Sequence, residues 1–233
     1  MTAGRLGILG GLGPLAGAHF YRRLIELTVA NGDADHLSVV LISEPGIPSR
    51  RDFLRGQGVS PVPALQQVAR DLETMGCDLI AVPSTTTHAF YSDIASAVHA
   101  PILNMPIEVK RSLLGIGIRR PAMIATRATR EARIYEPHFQ EDIKPLYPPP
   151  SVQDQIELLI DAVKQGKDIS AIRDDMDQVV REPWLKEADG ILLACTETPL
   201  IAPANPNRSV VSATDVLAFA ALRHLRPMQT QTG

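Results

Sequence analysis

Short apolar runs alternate with helical patterns along this chain. Leu6–Leu9 is a compact run closed by Gly10 and Gly11, and Phe20, Tyr21, Leu24, Ile25 and Val29 then recur at helical spacing. Leu37–Ile42 is continuous enough for a buried strand. Pro63–Met75 reads as a helix with Gly76 at its C′ position. Asp78–Val82 is a third strand, followed by a helix from about His88 to Val98. This is the βαβ rhythm of a parallel sheet covered by helices on both faces.

The rhythm then restarts. Pro101–Met105 and Pro121–Ala125 read as strands, Gln155–Val163 and Ile172–Leu185 as helices, and Gly190–Ala194 as a near-continuous apolar strand. Val210 and Val211 form a last short strand and Asp215–Leu225 a last helix, before a polar tail from Arg226 to Gly233 that reads as frayed. The two halves share one feature. Asp78–Val82 ends in Pro83–Ser84–Thr85–Thr86, and Gly190–Ala194, half a chain later, ends in Cys195–Thr196–Glu197–Thr198. Both are buried strands that break into small hydroxyl or thiol side chains. Open parallel sheets bind ligands beyond the carboxyl ends of their strands, so two such ends facing each other make one cleft between two lobes.

Composition narrows the classes. With 233 residues, 45% apolar and 21% charged, the chain can bury one large core or two small ones, which excludes disorder. A net charge of −3 without a basic stripe argues against a nucleic-acid partner. Two cysteines exclude a disulfide scaffold and a Cys-rich zinc site. The histidines at 19, 36, 88, 99, 138 and 224 lack metal-binding spacing, so no metal is expected. No apolar run approaches the roughly 20 residues of a membrane span. Met1–Arg5 leads directly into the first strand without an export-signal pattern, so the chain is read as cytoplasmic.

Each candidate site has two readings. Gly10–Gly11–Leu12–Gly13–Pro14 can offer backbone N–H groups to an anion at a helix start, or be only a tight strand-to-helix turn. Gly11–Ala16 also fits a loose dinucleotide pattern with Glu44 as its acid, but Pro14 sits inside the turn and Glu44 lies beyond the usual spacing of about 20 residues. Cys195 follows a buried strand and reads as opening a helix, whose dipole favours the thiolate. A lone cysteine there is otherwise an inert core residue, which is the reading of Cys77. Ser84, Thr85, Thr86 and Thr87, before His88, are either helix caps or a ring of hydroxyls around a small polar ligand. Arg50 and Arg51, in a Pro-bounded loop, suit a grip on a carboxylate, or are solvated surface residues. Lys164, near a helix end, has the same standing.

Together these residues resemble the aspartate/glutamate racemase family, which uses no pyridoxal cofactor. Gly7–Ile8–Leu9–Gly10–Gly11–Leu12–Gly13–Pro14 is similar to its opening G-I-x-G-G-M-G-P, and Ile47–Pro48–Ser49–Arg50 to its I-P-D-R. Pro83–Ser84–Thr85–Thr86–Thr87–His88 aligns with P-C-N-T-A-H, Ala125–Thr126–Arg127–Ala128–Thr129 with A-T-x-G-T, and Ala194–Cys195–Thr196–Glu197 with G-C-T-E. Lys164 before Gly166 matches a family lysine before glycine. The resemblance implies an α/β fold of two pseudo-symmetric lobes, each a mainly parallel sheet flanked by helices, with the site in the cleft between them, in a homodimer. Residues 1–101 with 208–233 would form the first lobe and 102–207 the second. It also implies a two-base reaction without cofactor: one thiolate removes the Cα proton from one face, and a second thiol returns a proton to the other. Arg50 and Lys164 would hold carboxylates of a small amino-acid or dicarboxylate substrate. Gly11, Leu12, Gly13, Thr86, Thr129, Thr196 and Glu197 would complete its shell.

The sequence departs from the family at the chemistry itself. Ser84 replaces the first cysteine, Thr85 the asparagine after it, Leu12 a methionine and Ala194 a glycine, while Cys195 is kept. A serine hydroxyl has a far higher pKa than a thiol and is a poor base without an activating partner. The expectation is therefore an asymmetric or one-directional racemase of aspartate- or glutamate-like amino acids. Cys195 would serve the L-enantiomer, as the second cysteine does in the family, and Ser84, helped by Thr85 or water, the opposite face. Two alternatives stand beside it: a single-cysteine decarboxylase or isomerase of a small dicarboxylate, and a non-catalytic dicarboxylate-binding protein.

Overall fold

The computed structural model describes residues 4–181, 183–204 and 206–226. In the first half, β1 (Arg5–Gly10) leads into α1 (Pro14–Leu27), and β2 (Ser38–Ser43) into α2 (Arg50–Leu54) and α3 (Val62–Thr74). Then come β3 (Leu79–Ala81), α4 (Tyr91–Ala95) and α5 (Met105–Gly115). In the second half, β4 (Pro121–Ile124) is followed by α6 (Arg127–Glu131), α7 (Glu136–Phe139), α8 (Pro150–Lys164) and α9 (Ile169–Val179). β5 (Gly190–Leu193), β6 (Val210–Ser212) and α10 (Ala213–Leu225) complete the described chain.

The strands make two parallel sheets, ordered β2-β1-β3 and β4-β5-β6. Each gains a one-residue fourth strand: Ile102 bridges Ile80 of β3, and Leu146 bridges Ala122 of β4, both in parallel. Numbered by their order within each half, the strands of both sheets then run 2-1-3-4. The pseudo-symmetry expected from the paired strand ends is thus a repeat of topology. α5 and α10 each follow the fourth strand of their half, and they pack on each other.

Alternation along the strands builds the layers. Leu6 and Ile8, Leu79 and Ala81, Met123, and Leu192 face one central cluster with Phe20 of α1, Val109 of α5, Phe139 of α7 and Leu217 of α10. Leu9 and Ile80 face the opposite side, against Leu65 and Leu72 of α3 and Ile94 of α4. Ala122, Ile124, Ile191 and Leu193 face Ile156 and Ile160 of α8 and Met176 of α9. The result is helices, sheet, shared helices, sheet, helices. It explains why β1, β3, β4 and β5 read as near-continuous apolar runs: both of their faces are covered.

The structure corrects several expectations. β2 is an edge strand with no buried residue, not a buried one. α1 stops at Leu27, and Val29 stands 96% exposed. The run Pro101–Met105 pairs only at Ile102, because Asn104 caps α5 by accepting from Ile107 N and Pro106 sits in its first turn. The expected helix from His88 is a 3-10 turn, Thr86–Phe90, followed by α4. The expected helix Ile172–Leu185 ends at Val179, and a separate 3-10 turn begins at Pro183, which cannot continue an α-helix. The Arg50–Arg51 loop is the start of α2, capped by Ser49. β6, assigned with residues 208–233 to the first lobe, instead completes the second sheet. Of the polar tail, residues 227–233 lie outside the described residues. Among the described residues no helix is long and apolar enough to cross a membrane.

One side chain ties the end of β3 to the start of α5. The backbone N–H of Met105 donates to His88 Nε2 at 3.1 Å, so Nδ1 carries the proton and donates to the Ser84 carbonyl at 2.9 Å. This bridge needs a neutral ring, and burial pulls the His88 pKa down to about 4. A histidine whose folded pKa lies below its unfolded value of about 6.5 stabilises the fold above that pH and loses the contribution as pH falls toward 4. Urea unfolding of wild type and His88→Gln therefore gives a stability difference that shrinks between about pH 7 and pH 4.5, by up to roughly 3 kcal/mol in the limit. Parallel pH curves would contradict this role.

Candidate active site

In a 2-1-3-4 sheet the connections diverge on either side of strands one and three, and ligands bind at that switch point, beyond the carboxyl ends. Here the switch points of both sheets open into a single cleft of about 460 Å³. The first lobe contributes Gly11–Leu15 after β1 and Ser84–Thr86 after β3. The second contributes Thr126 and Thr129 after β4 and Cys195–Glu197 after β5. The β2–α2 loop adds Pro45, Ile47, Ser49, Arg50 and Arg51, and the end of α8 adds Lys164. Every site residue that the family resemblance implied lines this cleft; Thr87, the fourth hydroxyl of its run, is fully buried and does not. Pro45, Ile47 and Ser49 carried no chemical signal of their own, and Thr126 had been placed in a motif without a role.

The first loop depends on Gly11. Its φ is +89°, and a Cβ there would lie 2.3 Å from the backbone N of Glu44. That close approach, sealed by Glu44 N–H donating to the Gly10 carbonyl at 3.3 Å, holds the β1 and β2 loops side by side. Glu44, the candidate acid of the dinucleotide pattern, turns its own carboxylate onto Gly46 N at 2.9 Å.

Cys195 is not at an α-helix start. The residues after β5 form a tight turn and then a four-residue 3-10 helix from Thr198, with Thr198 donating to the Cys195 carbonyl through both its N–H and its hydroxyl. The thiol is buried beside the apolar cluster under α8 and α9 and donates to Glu197 Oε2 at 2.9 Å. Burial first, and the Glu197 charge second, push its pKa well above the usual range; Lys164 opposes them. The expected depression by a helix dipole is therefore overturned: the resting sulfur is a protonated thiol paired with a carboxylate. Glu197 also accepts from Thr196 Oγ1 at 3.4 Å, and its second oxygen, Oε1, is buried with no partner.

The Ser84 side is built differently. Its Oγ accepts from Thr87 Oγ1 at 2.8 Å, and no carboxylate, amine or imidazole bonds to this hydroxyl among the described residues. Thr85, expected to assist it, instead donates its hydroxyl to the Ala194 carbonyl at 2.6 Å. That bond crosses from one lobe to the other and sets the loops carrying Ser84 and Cys195 against each other. Thr126 caps α6 by accepting from the Thr129 N–H at 3.3 Å, and the two hydroxyls pair at 3.0 Å.

Positive charge enters from one edge. Arg50 Nη1 donates to the carbonyls of Ile47 and Pro48 at 3.3 and 3.2 Å, and Nη2 to that of Leu12 at 3.2 Å. Its Nε is buried without a partner. Burial lowers the Arg50 pKa, against the pull of the Glu197 charge. Lys164, exposed at the rim, has no ion-pair partner among the described residues. Arg51 is not a solvated arginine: it pairs with Asp161 at 3.3 Å and Glu157 at 3.6 Å. The cleft is thus lined by Arg50 and Glu197, with a thiol on one side and a hydroxyl on the other. Arg50 Nε and Glu197 Oε1 lie beneath its surface, buried and without a partner among the described residues, and carry a desolvation cost there.

Comparison with known proteins agrees with this architecture. The chain is 25% identical over 201 residues, 82% of its length and 85% of the relative's, to the broad specificity amino-acid racemase RacX of Bacillus subtilis. Among solved structures, the aspartate racemase of Picrophilus torridus superposes with a TM-score of 0.87 at 29% identity, covering 95% of this chain and 94% of that one. An aspartate racemase homologue from Pyrococcus horikoshii shares the fold at 19% identity, with a TM-score of 0.77 over 97% of this chain and 99% of its own. Residues 9–221 match the family described as Asp/Glu/Hydantoin racemase, to which this chain belongs.

Proposed function

We propose that this chain is a cofactor-independent racemase of aspartate- or glutamate-like amino acids, working asymmetrically because one face of the substrate meets a thiol and the other a hydroxyl. The carrying observation is the buried Cys195–Glu197 pair, with Sγ 2.9 Å from Oε2, set against a Ser84 hydroxyl bonded only to Thr87. The RacX and aspartate racemase relationships support the same chemistry. In this reading Arg50 takes the substrate carboxylate, Glu197 faces the ammonium group, and a side-chain carboxylate reaches Lys164 at the rim.

The proton steps follow from the pair. Cys195 passes its proton to Glu197 and, as thiolate, removes the Cα proton of the L-amino acid. The carbanion gains electron density on its carboxylate, which in this reading Arg50 and the N–H groups of the first loop stabilise. Ser84, or a water it holds with Thr87, then delivers a proton to the opposite face and is refilled from solvent, while Glu197 releases to solvent the proton it took from Cys195, which resets the pair. The two enantiomers have equal free energy, so kcat/KM must be equal in both directions. The asymmetry instead divides each half-reaction: the carbanion returns to Cys195 more often than it is captured at Ser84.

Chiral chromatography of product tests this. Cys195→Ala loses about 10²–10⁴-fold in racemisation, the usual range for removing a general acid–base group. Glu197→Gln removes the acceptor of the thiol proton and loses roughly ten- to a hundredfold. Ser84→Cys supplies the second thiol and raises inversion by at least about tenfold. A Ser84→Cys protein that binds substrate but racemises no faster would contradict the proposal.

A further inference from the structure

α2 belongs to the first lobe by its connections and its apolar side. Phe53 lies 5.8 Å from the Phe90 ring, centroid to centroid, and Phe53 and Leu54 pack on the cluster that contains Leu65 and Ile94. Its charged side does the opposite and leaves the lobe. Arg51 Nη1 reaches Asp161 Oδ1 at 3.3 Å and Glu157 Oε2 at 3.6 Å on α8, and Arg55 Nε reaches Glu131 Oε2 at 3.4 Å on α6. Both receiving helices border the cleft: α8 ends in Lys164, and α6 begins beside Thr126 and carries Thr129. Arg50, between the β2 loop and these pairs, lines the cleft, as Arg51 itself does.

We propose that Arg51 and Arg55 are positioning residues: with Asp161, Glu157 and Glu131 they form a clasp between the lobes that holds α2, and with it Arg50, over the cleft mouth. The five side chains are 20–51% exposed, so each pair is weak and screened by salt. Weak pairs suit a clasp that opens each time a small molecule enters or leaves. The clasp itself rests on geometry alone; its effect on turnover rests on the racemase reading.

Cys195 reports the clasp without any substrate. It lies in the cleft only 6% exposed, and Cys77, 5% exposed and outside the cleft lining, serves as the internal control. The full-length protein is treated with iodoacetamide, and labelling of each cysteine is followed by peptide mass spectrometry. R51Q/R55Q is expected to label about 3- to 10-fold faster at Cys195 and unchanged at Cys77. Removing two cations from the protein does not favour the thiolate, so acceleration reports opening. R55E is expected to label faster than wild type, and R55E/E131R, with the pair reversed, to return to the wild-type rate. Raising salt from about 0.05 to about 0.5 M accelerates Cys195 in the wild type but not in R51Q/R55Q. An unchanged Cys195 rate in R51Q/R55Q, equal acceleration at Cys77, a reversed pair that fails to restore the rate, or a wild-type rate indifferent to salt each overturns the clasp. None of these readings depends on turnover, so an inactive enzyme with a working clasp would defeat the racemase reading alone.

Discussion

The hydrogen bond from Thr85 Oγ1 to the Ala194 carbonyl, 2.6 Å long, joins the residue after Ser84 to the residue before Cys195. Those two residues lie in the segments that follow β3 and β5, the third strands of their halves, far apart in sequence. The bond can form only because both sheets run 2-1-3-4 and share the central layer of α1, α5, α7 and α10, which aims both switch points at one space. His88 braces the same junction from the other side, fixing the Ser84 carbonyl to the first N–H of α5. The cleft is therefore a consequence of repeated topology, locked by one buried hydrogen bond and one partly buried histidine bridge.

Within the cleft the decisive quantity is where the thiol proton rests. A helix dipole would have favoured thiolate, but the short turn after β5 gives Cys195 little of it. Burial and the adjacent carboxylate win, and the resting group is a thiol whose proton already points at an acceptor. Ligand charge changes that balance. An ammonium group against Glu197 would weaken the carboxylate as a proton acceptor, while Lys164 and Arg50 would favour thiolate, so occupancy and proton position are coupled. Ser84 has no comparable partner among the described residues: its hydroxyl accepts from Thr87.

Much of this was legible in the sequence, and for identifiable reasons. β1, β3, β4 and β5 announced themselves because strands covered on both faces are apolar throughout. The small polar residues after β3 and β5 pointed to paired strand ends, and the cleft is lined by Ser84–Thr86 and Cys195–Glu197 from them. What stayed hidden depended on partners distant in sequence. The Pro101–Met105 run looked like a strand because capping by Asn104 competes with pairing and won after one residue. Thr85 looked like a helper of Ser84 until the Ala194 carbonyl claimed its proton. Arg51 looked solvated because Asp161 and Glu157 arrive from the other lobe. The direction of the Cys195 shift needed the length of the following turn and the side chain two residues on, which no pattern of apolar positions records.

The central claim is that the two faces of the substrate are unequal because only one meets a thiol. Incubating L- and D-glutamate separately in deuterated water, and following both loss of the Cα proton signal and formation of the opposite enantiomer, tests it most directly. The account predicts that the L-enantiomer exchanges its Cα proton several times faster than it inverts, because the carbanion returns to Cys195, while the D-enantiomer exchanges no faster than it inverts. Equal exchange-to-inversion ratios for the two enantiomers, or excess exchange on the D side, would contradict it.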